Sequence, residues 1–241
     1  GSDGNAFHPK IAFHSTYSYK ELDDHIKGVL NDIYTHYYYH RQENFWREQA
    51  MVKLPAINKA SDMLICGEDL GMVPDCVPGV MHELGILRLY IQRMPKETDS
   101  EFGHPANAPY LSVASPSCHD MSTVRGWWEE DHDRSQRFYI QIMGHGGEAP
   151  VVCDTWISEE VLQQHLHSSA MWTIFPIQDL VGIDEKLMRE NPEDERINDP
   201  SNPDNLWQYR FHLNLGDLVK EKELNKKLRS MVQNAGRFTK F

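Results

Sequence analysis

Over the first quarter of the chain, apolar residues recur at helical spacing. Leu22, Ile26, Val29, Leu30, Ile33 and Tyr37 follow the i, i+3, i+4 period of an amphipathic helix. Ser18 is a good N-cap and the acids Glu21, Asp23 and Asp24 follow it, so the helix is predicted to start near Tyr19. Residues 3–18 have no period and read as irregular. A second helix is predicted from Asn44 to about Lys59, kinked or split at Pro55. The run Tyr37-Tyr38-Tyr39-His40 reads as packing between helices, with a stacking surface for a ligand as the alternative.

From residue 61 the pattern changes to short apolar runs that end in polar loops. Met63 to Cys66 is predicted to be a buried strand opening into Gly67-Glu68-Asp69-Leu70-Gly71. Pro74 to Leu84 reads as a helix closed by Gly85, and Ile86 to Ile91 as a strand. Tyr110 to Ala114 is a third strand, followed by Ser115-Pro116-Ser117-Cys118-His119-Asp120. A helix bearing Trp127 and Trp128 comes next, then helices at 135–143 and 157–168. Met171 to Ile177 is the fourth strand and leads to Gln178-Asp179. Residues 183–206 are polar and hold three prolines, so they are predicted to form a loop, and Asp217 to Gln233 a terminal amphipathic helix.

Strand, loop and helix repeated about four times predict an α/β fold with a parallel sheet. Strands apolar throughout are those buried on both faces. An open doubly wound sheet and a (β/α)8 barrel both fit. No GxGxxG or GxxxxGK[ST] is present, and the polar residues stand just after the strands, where barrels carry their chemistry. Four strands cannot close a barrel, so the expectation is half of a (β/α)8 barrel, residues 61–241, preceded by a helical segment, residues 1–60.

Composition narrows the function. With 36 acidic and 24 basic residues among 241, the net charge is −12, which opposes binding to nucleic acid or to an anionic membrane. No apolar run approaches the length of a membrane span, and no signal-like segment opens the sequence. Gly1-Ser2 resembles the remnant of a cleaved tag, so the natural start is expected to lie elsewhere. Four widely spaced cysteines without a CxxC pair are expected to be reduced thiols in a cytoplasmic protein rather than disulfides or a zinc site.

Three polar pairs carry candidate chemistry: Glu68-Asp69, His119-Asp120 and Gln178-Asp179. Parallel strands bring such loops to one edge, so carboxylates distant in sequence can meet in one cleft. Converging carboxylates without a metal motif suggest glycoside chemistry, and Trp127, Trp128, Trp172 and Trp207 offer faces for pyranose rings. The plainer alternatives are a helix N-cap for Asp69, a loop hydrogen bond for the His-Asp pair and core packing for the tryptophans. A metal on Glu68, His119 and Asp120 would lack any HExxH-type spacing.

These residues also carry a resemblance. Gly67-Glu68-Asp69-Leu70-Gly71 with Val73-Pro74, Ile91-Gln92-Arg93-Met94-Pro95, Ser115 to Asp120 with Thr123 to Glu130, Phe175 to Leu180, and Arg196 to Pro200 with Asn205 to Arg210 occur in that order. Together they resemble the 4-α-glucanotransferases (amylomaltases or disproportionating enzymes) of glycoside hydrolase family 77, over about residues 61–215. The resemblance implies a (β/α)8 barrel that transfers α-1,4-glucan segments between maltooligosaccharides with retention and without a cofactor or metal.

By that family pattern Glu68 is the general acid/base, Asp120 the transition-state carboxylate and His119 a substrate contact, with Asp69 and Gln178 as further substrate-binding residues. A general acid holds its proton at working pH, so Glu68 is expected to have a raised pKa. The two carboxylates are expected to project from neighbouring strand tips into one sugar-sized hollow. The family's nucleophile, an aspartate in an Arg-x-Asp-His motif, has no counterpart, because neither Asp24-His25 nor Asp131-His132 follows an apolar strand. The expected partner is therefore the missing N-terminal half of the same enzyme, and the chain alone is expected to be inactive. The alternatives are a non-catalytic maltooligosaccharide-binding module, or a half-barrel that pairs with a second copy through its open strand edges.

Overall fold

A computed structural model of the chain describes residues 4, 7–71, 73–96 and 99–237. They fall into two compact units: one runs to Ile65 and resumes up to Ile86, and the other holds Cys66–Gly71 and the chain from Leu87 onward.

The first unit is helical. The predicted start at Tyr19 is not observed, because two better caps divide the segment. Thr16 accepts from the Tyr19 amide to open α1 (Tyr17–Lys20), and Asp23 accepts from the Ile26 amide at 3.0 Å to open α2 (Asp24–His36). A π-helical turn at Tyr37–Arg41 joins α2 to α3 (Gln42–Lys59). Pro55 does not split α3, although its ring removes one backbone donor. α4 (Cys76–Leu84) ends on Gly85 at φ 67°, the left-handed C-cap that the sequence predicts.

Neither α2 nor α3 has a fully buried residue. The tyrosine run does not pack between helices. Its hydroxyls hold the irregular segment before α1: Tyr38 donates to the Pro9 carbonyl at 2.6 Å, Tyr37 pairs with His8 at 2.8 Å, and the nearby Tyr34 donates to the Ile11 carbonyl at 3.0 Å.

The second unit is built on a parallel sheet in the order β1-β2-β3-β4: β1 (Cys66–Gly67), β2 (Leu87–Ile91), β3 (Ser112–Ser115) and β4 (Trp172–Thr173). The order never reverses, so these strands have no topological switch of the doubly wound kind. β2 and β3 are largely buried, but the outer strands are only two residues long. Met63 and Leu64 are exposed, so the first apolar run is not the buried strand its composition suggests. Ile174 still donates to the Ala114 carbonyl of β3 at 3.1 Å, but Phe175 and Pro176 leave the sheet and Ile177 opens a helix.

The strand–helix repeat also fails once. Among the described residues between β2 and β3 the one helical element is the 3-10 turn Pro105–Asn107, in a stretch where Pro95, Pro105 and Pro109 cannot donate to a helix. α5 (Val124–Glu130), α6 (His132–Gln141) and α7 (Thr155–Leu166) follow β3, and α8 (Ile177–Val181), α9 (Leu215–Leu218) and α10 (Lys222–Asn234) follow β4. The single terminal helix predicted at 217–233 is broken before Lys222, where the Asn225 amide bonds the carbonyls of Leu218 and Val219.

α7 joins two apolar cores. Ile157 and Val161 pack with Trp127, Trp128 and Phe138, while Leu162 and Leu166 pack with Val181, Leu224 and Met231. Beside these cores, Arg125 and Glu195 form a buried ion pair at 2.6 Å, with Thr123 also donating to the Glu195 carboxylate. Burial raises the pKa of Glu195, against the lowering by Arg125.

Candidate active site

Because every strand pair is parallel, the segments after β1, β2, β3 and β4 leave the same edge of the sheet. They carry Glu68 and Asp69, Gln92 and Arg93, the 116–123 loop, and Gln178 with Asp179 on α8. Glu68 and Asp120 do not come from neighbouring strands, since β2 lies between β1 and β3.

The 116–123 loop is tied down from both sides. Arg93, reaching from the end of β2, donates to the carbonyls of Pro116 at 2.9 Å and Ser122 at 2.6 Å. Asp179 accepts the Ser117 hydroxyl on one oxygen and the Val124 amide at 2.8 Å on the other. Ser115 donates to the Ser117 carbonyl at 2.6 Å. Burial pulls the Arg93 guanidinium down to about 10, so it remains cationic at neutral pH. Burial raises the pKa of Asp179, against the pull of the Ser117 and Val124 donors.

His119 and Asp120 project from this fixed loop and stay about half exposed, with His119 Nε2 3.3 Å from Asp120 Oδ2. Asp120 Oδ1 accepts from Asn198 Nδ2 at 2.6 Å, and Asn198 Oδ1 in turn accepts from Asn205 Nδ2 at 2.5 Å. The Trp207 ring lies 5.3 Å from that of His119. Asp120 borders a hollow of about 290 Å³ that Arg93, Trp127, Glu130 and Arg196 also line.

Glu68 is exposed, and its Oε1 accepts from the Leu70 amide at 2.5 Å. The Cys118 thiol is pushed up chiefly by burial, against the lowering by the Asp120 backbone amide, and the Asp120 and Glu68 charges add to the rise.

Two of the residues expected to bind substrate turn inward. Asp69 is 2% exposed and pairs with Arg88 at 2.7 Å and Lys96 at 3.0 Å, while also accepting from the Leu89 amide. Gln178 is 3% exposed and donates to the Glu195 carbonyl at 3.3 Å. Both join segments of the sheet unit to one another.

Trp127 and Trp128 are buried in the core, although Trp127 also reaches the wall of the hollow beside Asp120. Arg93 and Arg134 stand over the Trp127 ring at 5.3 and 4.7 Å, and the Trp128 indole donates to the Pro150 carbonyl at 2.8 Å. Trp172 starts β4, near the edge opposite His119 and Asp120. Arg93, Asn198 and Asn205 stand out in the sequence only as members of longer motifs, because a guanidinium or amide that bonds backbone or another amide leaves no periodic mark.

Among the described residues no three His, Cys, Asp or Glu side chains stand together as a metal-holding group, and no helix is long and apolar enough to cross a membrane. The four cysteines are free thiols.

Comparison with known proteins places this arrangement. The family profile described as 4-alpha-glucanotransferase matches residues 11–214. The chain is 43% identical over 235 residues to 4-alpha-glucanotransferase DPE2 of Oryza sativa subsp. japonica, covering 98% of this chain and 25% of that protein. It is 30% identical over 178 residues to a 4-alpha-glucanotransferase of Chlamydia trachomatis serovar D, covering 71% of this chain and 33% of that protein. The chain thus spans about a quarter to a third of the length of these relatives. Among solved structures it is similar in fold to an amylomaltase from Streptococcus agalactiae in complex with acarbose, with a TM-score of 0.60 and 20% identity over 79% of this chain and 35% of that one. The sequence motifs, the parallel sheet and these relatives agree: the chain belongs to the 4-alpha-glucanotransferase family, glycoside hydrolase family 77.

Proposed function

We propose that this chain is the part of a longer 4-α-glucanotransferase that supplies the general acid/base and one substrate-binding carboxylate. The parent enzyme transfers α-1,4-glucan segments between maltooligosaccharides with retention, without cofactor or metal, in the cytoplasm. Residues 61–241 are read as the second half of a (β/α)8 barrel and residues 1–60 as a helical segment inserted before its fifth strand. The unreversed strand order supports a barrel over a doubly wound sheet.

The observation that carries the reading is the shared edge of the sheet, with Glu68 after β1 and the braced His119-Asp120 pair after β3. Two strand spacings separate β1 from β3, about 9–10 Å. That gap leaves room for one pyranose ring between inward-reaching side chains. On that ring Glu68 protonates the departing glycosidic oxygen, then takes the proton from the incoming 4-hydroxyl. Asp120 accepts hydrogen bonds from ring hydroxyls and opposes the positive charge that develops on the sugar. His119 adds a donor beside it.

The nucleophile is expected from the rest of the parent enzyme. Asp131 is occupied as the N-cap of α6, accepting from the Arg134 amide at 3.0 Å, and Asp24 lies in the first turn of α2. The test is glucose release from maltotriose. The 241-residue chain alone should give none, and the full-length protein should give turnover. Turnover by the chain alone would mean that a residue within it serves as nucleophile.

A further inference from the structure

Trp207 is the only described non-glycine residue with a left-handed backbone, at φ 53°. That conformation is unfavourable for a bulky side chain, so the surrounding segment has to impose it. Its indole is 58% exposed, yet one part of it meets His119. Of the other tryptophans of the sheet unit, Trp127 and Trp128 are buried in the core, and Trp172 stands at the start of β4, near the opposite edge of the sheet.

The segment before Trp207 is tied to the same pair by the two amides. Asn205 holds Asn198 at 2.5 Å, and Asn198 holds the Asp120 carboxylate at 2.6 Å. Asp199 and Asn202 brace the segment from within, by accepting from the amides of Ser201 and Asp204 at 3.0 Å each. A rigid aromatic face and a carboxylate fixed by one chain of hydrogen bonds suit a ligand with an apolar face and hydroxylated edges, which is the chemistry of a pyranose.

We propose that residues 198–207 form a sugar-binding arm, in which Trp207 gives the stacking face for one glucose unit and Asn205, through Asn198, sets that face in register with Asp120. Trp207 is then a binding residue, and Asn198 and Asn205 are positioning residues. The proposal rests on the glucan reading of the same site and adds to it the residue that orients the ring.

The experiment is titration of the isotope-labelled 241-residue chain with maltoheptaose, followed by the indole N–H signals and by the His119 and Asp120 amides. The expected result is a saturable shift of the Trp207 indole together with the His119 and Asp120 signals. Trp207→Ala should weaken binding about tenfold and Trp207→Phe no more than about threefold. Asn205→Ala, which keeps the indole but loosens its register, should weaken it about threefold to fivefold. Unchanged melting temperatures would separate these effects from a loss of folding. If the sugar moves His119 and Asp120 while Trp207→Ala binds as tightly as the parent chain, the arm is wrong and the glucan reading stands. If maltoheptaose moves none of the three residues, the glucan reading of this site fails and the arm fails with it.

Discussion

The helical unit and the sheet unit use similar apolar side chains to different ends. In α2 and α3 the periodic positions Ile33, Phe45 and Val52 are 51%, 51% and 74% exposed. In α5 every residue from Val124 to Trp128 is buried, and α7 feeds two cores at once. An apolar stripe therefore indicates which face of a helix seeks cover, and only the neighbouring elements decide whether it finds any. The sheet unit also buries charge, and two of its charged side chains, Arg93 and Asp179, brace the loop that carries His119 and Asp120. The buried charges and the candidate site thus fall in one unit.

Four changes test that contrast. The largest effect is expected in the full-length enzyme, where Glu68→Gln should lower glucan transfer by about 10³-fold, because the amide can neither give nor take the proton. Comparable transfer by the variant in a maltotriose assay would remove Glu68 from the chemistry.

Arg125→Ala should cost the sheet unit about 3 kcal/mol or more in a denaturant titration, since it leaves the Glu195 carboxylate buried without its cation. A loss below about 1 kcal/mol would mean that the pair is not buried as described.

The third test uses pH. Burial pulls the His165 imidazole down to about 4 from an ordinary 6.5. Between those values the unfolded chain binds a proton that the folded chain does not. The contribution of His165 is therefore complete above pH 6.5 and is lost as pH falls, by about 2 kcal/mol at pH 5 and about 3 kcal/mol at pH 4. Asp179, whose pKa is raised, works in the opposite sense over the lower part of this window, since protonation favours its folded form. His165→Gln isolates the first effect, and its melting temperature should drop less than that of the parent between pH 7.5 and pH 5. An equal drop would contradict the assignment.

The smallest effect belongs to the helical unit. Val52→Ala should change stability by less than about 0.5 kcal/mol, because the side chain is already 74% exposed. A change near 2 kcal/mol would show that the α3 surface is covered in solution and would erase the contrast between the units.

Much of the fold is legible in the sequence where local chemistry is unambiguous. Gly85 closes α4 at a left-handed position, and the run Leu87 to Ile91 forms a strand because its neighbours bury it. Legibility fails where a side chain acts on backbone far away in sequence. Arg93 reads as one letter of a motif but grips a loop about 25 residues further along the chain, through Pro116 and Ser122. It also fails at edges: Met63 to Cys66 and Met171 to Ile177 look like buried strands, but each has a strand partner on one side only, and of these residues only Cys66 and Trp172–Thr173 belong to strands. At the candidate site, the pairing of His119 with Asp120 follows from adjacency. The inward commitment of Asp69 and Gln178 depends on Arg88, Lys96 and Glu195, which no local pattern links to them.

The most direct test of the central claim is a crystal structure of full-length enzyme carrying Glu68→Gln, soaked with maltoheptaose. One glucose ring is expected between the two strand ends, with its hydroxyls hydrogen-bonded to Asp120 and its glycosidic oxygen within hydrogen-bond reach of the residue at position 68. A sugar bound elsewhere, or side chains 68 and 120 facing away from a common ring, would contradict it.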